Sequence, residues 1–182
     1  MPTTVRLATA SDAAALSEIA ALTFPLACPP DATEEAKASF ISEQLSPGRF
    51  AEYLADPARR LLLAEDEVGA PVGYTMLIAG EPTDADVAAC LTVRPSTELS
   101  KCYVHPDHHG AGLAADLVSA SISQARADGA AAVWLGVNQQ NARANRFYEK
   151  HGFVRVGSKR FRLGDRWEDD FVRERVLGGV AR

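Results

Sequence analysis

Cysteine is scarce in this sequence: Cys28, Cys90 and Cys102 are scattered over 182 residues. An odd, widely spaced set argues against a disulfide framework or a CxxC metal knuckle and for reduced thiols. Long apolar runs are missing too. The least polar stretch, Gly129 to Val137, is about half of what a membrane span needs. Arg6, Asp12 and Glu18 interrupt the N-terminal segment, so no signal peptide is visible. A soluble cytoplasmic protein with no membrane partner is expected. A basic excess is also absent, because 19 Lys and Arg face 24 Asp and Glu, for a formal net charge of −5. Non-specific nucleic-acid binding needs a basic face to displace counterions, so no nucleic-acid partner is expected. No internal repeat, low-complexity tract or linker is visible.

What remains is an ordinary globular composition, 47% hydrophobic and 24% charged. The length suits one domain over residues 1–182, large enough to bury a core without cross-links. Val5 and Leu7 alternate in a short strand. Ser11 and Asp12 offer N-caps for a helix bearing Leu16, Ile19 and Ala20, and Pro25, Pro29 and Pro30 break the chain into a loop. A second helix is expected from Thr33 to Leu45, interrupted by Pro47-Gly48, with a further turn or two at Phe50 to Leu54. Leu61–Glu65 and Val72–Ala79 flank a turn and read as a hairpin. Glu81 to Pro95 is the least legible stretch, with room for one helical turn. Glu98–Val104 is a strand, Gly110–Ala127 a long helix and Ala132–Val137 an apolar strand buried on both faces. A short helix follows at Asn141–Lys150, then strands at Phe153–Gly157 and Trp167–Leu177. Trp134 and Trp167 read as core or interface residues. The order describes one α/β (α+β) domain.

The segment from Tyr103 to Ala114 joins a strand to the long helix. A first helical turn leaves backbone N–H groups without partners, and the helix dipole adds positive potential, so an anion is favoured there. Gly110 and Gly112 lack Cβ atoms, which lets a diphosphate lie against the backbone. A turn of this kind that binds nothing is the plain alternative. Gly110-Ala-Gly112-Leu-Ala-Ala115 nominally fits the dinucleotide fingerprint, which would suggest a nicotinamide-dependent oxidoreductase. No acidic residue ends the next strand to take ribose hydroxyls, and the turn lies late in the chain.

His109-Gly110-Ala111-Gly112-Leu113-Ala114 resembles the acyl-CoA motif Q/R-x-x-G-x-G/A of the GNAT superfamily, the Gcn5-related N-acetyltransferases, with His109 where Arg or Gln is usual. Asn141-Ala-Arg-Ala144-Asn-Arg-Phe147-Tyr148-Glu-Lys-His-Gly152-Phe153 is similar to the N-x-x-A-x-x-F-Y-x-x-x-G-F segment of that family. The two motifs stand in the right order, and the resemblance covers roughly residues 60–177 by element order. It implies a GNAT fold, a mixed central sheet of six to seven strands flanked by helices. It also implies an acyl-CoA-dependent N-acyltransferase that moves acetyl from acetyl-CoA directly to an amine, with no metal.

The same resemblance assigns roles. Glu98 aligns with the strand general base of the histone-acetylating branch, and partial burial would raise its pKa to suit proton collection. Its alternative is a solvated carboxylate at a strand end. Tyr148 would give a proton or hydrogen bond to the departing sulfur, unless it is merely an aromatic on a buried stripe. The backbone of Cys102, Tyr103 and Val104 would pair with the pantetheine arm like an added strand. His109, Gly110, Ala111, Gly112, Leu113 and Ala114 would hold the pyrophosphate. Asn141 and Ala144 would meet the CoA arm, although Asn141 also suits an N-cap. His105, Asp107, His108 and His109 are dense enough to suggest a metal, but their spacing fits no zinc motif. Pro25–Leu54, Glu81–Pro95 and the hairpin near Phe161–Phe171 are expected to frame the acceptor. The acidic residues Glu34, Glu35, Glu43, Glu81, Asp84 and Asp86 hint at a cationic one. Partners are thus an acyl-CoA and an amine, and dimers in the family leave room for a homodimer. A CoA-binding sensor or regulatory protein without turnover is the alternative function.

Overall fold

The computed structural model describes residues 2–178. The first strand, β1 (Thr4–Leu7), lies at one edge of the sheet. From it Arg6 reaches Asp12 at 2.9 and 3.0 Å and Glu65 at 2.9 and 2.7 Å. Asp12 also accepts from the Thr9 N–H at 2.7 Å. Ser11 and Asp12 therefore do not cap the following helix with their side chains, because the Asp12 carboxylate is committed to Arg6 and Thr9. The Arg6 hydrogen bonds hold the Asp12 carboxyl down at about 2, against an ordinary 3.8. A depressed folded-state pKa contributes stability above the ordinary carboxyl range, and that contribution is lost as pH falls towards 2. Asp12→Asn is accordingly expected to cost about 1–2 kcal/mol at pH 7. In urea melts the deficit should shrink as the pH is lowered towards 3.

Helix α1 (Ala13–Ala27) buries Leu16, Ile19, Ala20 and Phe24 and contains Pro25. The expected break at Pro25 does not occur. Proline is costly where its missing N–H and its ring disturb a continuing helix, and Pro25 sits in the last turn. The chain leaves the helix at Cys28, just before Pro29-Pro30. Helix α2 (Glu34–Gln44) is capped by Thr33. Pro47 opens α3 (Pro47–Ala55) at its first position, with Ser46 as cap, because a first-turn proline forfeits no helical hydrogen bond.

Strands β2 (Arg59–Glu65) and β3 (Pro71–Ala79) form the expected hairpin. The short α4 (Ala85–Cys90) is followed by β4 (Ser96–Val104), and α5 (Leu113–Ala127) by β5 (Ala132–Asn138). Helix α6 (Ala142–Lys150) precedes a long final hairpin, β6 (Val154–Leu163) and β7 (Arg166–Val176). Strand β6 runs well past the expected Gly157. Its later residues are charged because it is an outer strand, and charges on such a strand hide its apolar alternation. Trp167 is 52% exposed between Arg160 and Arg162, so of the two tryptophans only Trp134 is core. Glu81–Pro95 covers the sheet through Val87 and Leu91 against Trp134 and Val172. Glu174 anchors this segment by accepting from the Thr92 N–H and hydroxyl and the Val93 N–H.

The seven strands lie in the order β1-β2-β3-β4-β5-β7-β6. One face packs on α5 through Leu99, Val104, Leu117 and Val133. The other packs on α1–α3 through Leu61, Leu63, Tyr74 and Met76. Two irregularities in β4 shape the rest of the molecule. Its pairing with β3 shifts where Met76 meets Lys101 but Leu77 meets Leu99, so Ser100 is the extra residue of a bulge. Its parallel pairing with β5 lasts only from Ser96↔Ala132 to Glu98↔Trp134. Beyond that point the two strands part, and the β4 edge from Ser100 onward faces a gap.

Candidate active site

Two cavities occupy the gap between the parting strands. The first, about 210 Å³, lies on the α1–α2 side and is lined by Glu98, Lys101 and Tyr103 of β4, by Phe40, and by Lys159 and Asp170 of the final hairpin. The second, about 260 Å³, is lined by Cys102, Tyr103, Val104, His109, Ala114, Asn141, Ala144 and Tyr148. Ala27 and Tyr103 line both, so the two cavities adjoin at β4.

The structure therefore brings together most of the sequence-derived cofactor set. Gly110, Ala111 and Gly112 sit exposed beside the second cavity, in the turn before α5. Gly110 (φ +81°) and Gly112 (φ +85°) take left-handed backbone, and no atom lies within 4 Å of where a Cβ would stand on either. Leu113 differs from the rest, since its side chain is 2% exposed in the core and only its N–H can face a ligand. Helix α5 starts at Leu113 rather than Gly110, and the first bond onto the turn is Asp116 N–H to the Gly112 carbonyl. The N–H groups of Gly112, Leu113 and Ala114 take no acceptor among the described residues. A cluster of free donors at a helix start suits a diphosphate.

His109 does something the sequence does not reveal. Its Nε2 lies 2.9 Å from the Val104 carbonyl and its Nδ1 lies 3.5 Å from Arg143 Nη1. Only a donor can meet a carbonyl, so Nε2 carries the hydrogen and Nδ1 accepts from Arg143. One lone pair of the Val104 carbonyl is thereby taken, which leaves its second lone pair and the other groups of Cys102–Val104 for a strand-like ligand. Asn141 caps α6 through Oδ1, which accepts from the Ala144 N–H at 3.0 Å. Its side-chain NH₂ makes no hydrogen bond among the described residues, and Asn141 lines the second cavity.

Tyr148 is half-buried against Phe147 and Phe153, with ring centroids 5.2 and 5.8 Å away. Burial pushes its phenol well above the ordinary value of 10, and the Cys102 thiol beside it is pushed up to about 11. A phenol that keeps its proton is a donor, and a thiol that keeps its proton is a poor nucleophile. Glu98 is raised above its ordinary value by burial, against the opposing pull of Lys159 and Lys101. Asp170 is pushed up to about 6 by burial.

The histidine cluster is used locally. His105 Nδ1 accepts from the Asp107 N–H at 3.1 Å. Among the described residues no group of three or more His, Cys, Asp or Glu is arranged to hold a metal, and no helix is long and apolar enough to cross a membrane. Pro25–Leu54 and the final hairpin do frame the first cavity, while Glu81–Pro95 does not line it. None of Glu34, Glu35, Glu43, Glu81, Asp84 and Asp86 lines it either. Its carboxylates are Glu98, Glu168 and Asp170. Lys101, Lys159, Glu168 and Asp170 were not evident as site residues. Lys101 is three positions from Glu98, which in a regular strand means opposite faces. The bulge at Ser100 restores a shared face, and nothing in the residue types announces a bulge.

Comparison with known proteins agrees with this geometry. The Acetyltransferase (GNAT) family matches residues 16–153. Proteins of Mycobacterium tuberculosis and Mycobacterium bovis, each named as an uncharacterised N-acetyltransferase, are 49% identical over 167 residues, spanning 92% of this chain and 99% of theirs. The PaiA N-acetyltransferase of Thermoplasma acidophilum, solved with coenzyme A, superposes with a TM-score of 0.76 at 19% identity, over 97% of this chain and 100% of that one. YncA of Salmonella typhimurium, solved with acetyl-CoA, gives a TM-score of 0.65 at 26% identity, over 100% and 98%.

Proposed function

The chain belongs to the GNAT acetyltransferase family and is an N-acetyltransferase that uses acetyl-CoA; on that premise we propose how its residues divide the work. The observation that carries the assignment is the parting of β4 from β5. It leaves a strand edge running from Glu98 to a glycine turn with unpaired N–H groups. The turn at Gly110–Ala114, with Arg143 held over it by His109, holds the diphosphate. The edge at Cys102–Val104 holds the pantetheine arm as an added strand, with Asn141 and Ala144 closing over it. Acetyl-CoA supplies the acetyl group as a thioester. Glu98 takes the proton from the acceptor ammonium in the first cavity, directly or through water. The N–C bond forms as the C–S bond breaks, and Tyr148 gives its proton to the leaving sulfur. The carboxylate lines the first cavity and the phenol the second, and the two cavities adjoin at Tyr103, where amine and thioester would meet.

We take the chain over 1–182 as a single domain and, with three free cysteines, place it in the cytoplasm. The outer edge near the C-terminus is β6, whose Lys and Arg side chains oppose edge pairing. A homodimer would have to use another surface. The test is a CoA-thiol release assay over a panel of primary amines, paired with thermal shift. Acetyl-CoA and CoA should raise the melting temperature, NADH should not, and thiol release should require an amine. Stabilisation without release for any amine would favour the sensor alternative, on which the comparisons are silent. Stabilisation by NADH alone would overturn the assignment.

A further inference from the structure

The first cavity holds a cation that the transfer mechanism does not use. Lys101 is half-buried in its wall, with its ammonium 6.0 Å from the Phe40 ring centroid. No carboxylate lies within ion-pair distance of it, and it makes no hydrogen bond, among the described residues. Lys159, by contrast, faces Asp170 at 3.8 Å. The charges around Lys101 are Glu98 and Arg59, and Arg59 is itself engaged by Asp56 at 3.0 Å. Glu168, 7% exposed, lines the same cavity with no hydrogen bond of its own among the described residues. The cavity thus presents unpartnered charges of both signs between the apolar walls of Phe24, Phe40 and Phe161.

A ligand bearing charge of one sign satisfies only half of this arrangement. A polyamine would answer the carboxylates and leave Lys101 facing further positive charge. A simple anion would answer Lys101 and bring nothing to acetylate. Resting on the acetyltransferase assignment above, we propose that the acceptor is a small amino acid-type molecule whose amine meets Glu98 and Asp170 and whose carboxylate is bound by Lys101. Burial lowers the Lys101 pKa to about 8, with Arg59 adding to the shift and the Glu98 carboxylate only partly opposing it, as expected of an ammonium held away from water without a directly paired carboxylate. A carboxylate arriving there relieves that cost. It forms a charge-assisted pair in a partly desolvated site, where such a pair is strong. The small volume and the aromatic walls suit a free amino acid with an apolar side chain.

The test uses free amino acids, their amides and their decarboxylated amines as matched acceptors. Thiol release is measured with acetyl-CoA, and calorimetric binding in the presence of CoA. The free acids should exceed their amides and amines in kcat/KM by about 10- to 100-fold, the range for a hydrogen bond to a charged group. Lys101→Met should remove that preference, mainly through KM for the free acid, while acetyl-CoA binding by calorimetry stays unchanged and reports an intact fold. Zwitterion binding that depends on Lys101, even with slow turnover, supports the subsite. Equal or better use of the carboxylate-free amines, or no binding of any amino acid, overturns it and leaves the acetyltransferase assignment standing. Failure of acetyl-CoA to bind or be consumed overturns that assignment instead, and this proposal with it.

Discussion

Replacing Tyr148 by Phe is expected to lower kcat by about 10²-fold, with KM for acetyl-CoA changed by no more than about twofold. The ring stays wedged against Phe147 and Phe153, so packing and the cavity wall persist and only the hydroxyl is lost. Burial holds that phenol well above 10. It is therefore fully protonated at neutral pH and lines the second cavity, where the proposed thiolate would leave. Single-turnover thiol release separates the outcomes, because an acid acts on the C–S cleavage step and not on donor binding. A Tyr148→Phe enzyme that turns over at the wild-type rate would show Tyr148 to be a wall and nothing more.

The second large effect is at Glu98. Glu98→Gln should lower kcat/KM for the acceptor by about 10²-fold or more at neutral pH. A general base works only when ionised. Activity should hold above the raised Glu98 pKa and fall as pH drops through it. In the Gln variant that acidic limb should flatten. Asp170, at about 6 and on the same cavity, provides the control. If the limb survives Glu98→Gln and disappears in Asp170→Asn, the proton goes to Asp170 and Glu98 serves only the local field. Wild-type activity of Glu98→Gln at saturating acceptor would remove Glu98 from the mechanism altogether.

The residues gathered around the second cavity were legible in the sequence as a group, whatever their roles. A turn with Gly110 and Gly112 before a long helix, and Asn141 followed by Phe147-Tyr148, declare themselves by residue type and spacing. The elements around them were legible for the same reason, since the β2–β3 hairpin, α5 and β5 follow plain periodicities. The lining of the first cavity was not. Lys101, Lys159 and Asp170 come from three strands, and their convergence depends on an inserted residue at Ser100 and on where β4 leaves β5. Neither has a compositional mark. Lys159 also needs Gly136, since a Cβ there would stand 2.5 Å from the lysine Cε. That glycine looks incidental until the strands are in register. The part played by His109 was equally hidden, because its carbonyl partner and its link to Arg143 exist only in three dimensions.

The parting of β4 and β5 also bears on solubility. An open strand edge normally invites another chain to pair with it, which is the first step of aggregation. Here the edge from Ser100 to Val104 opens inward, between two halves of one sheet. A neighbouring protein would have to bring a strand in between β4 and β5 to pair with it. The proposed pantetheine arm is slender enough to need less room than a strand with side chains on both faces. The fold turns its stickiest backbone inward, towards a guest and away from its own kind.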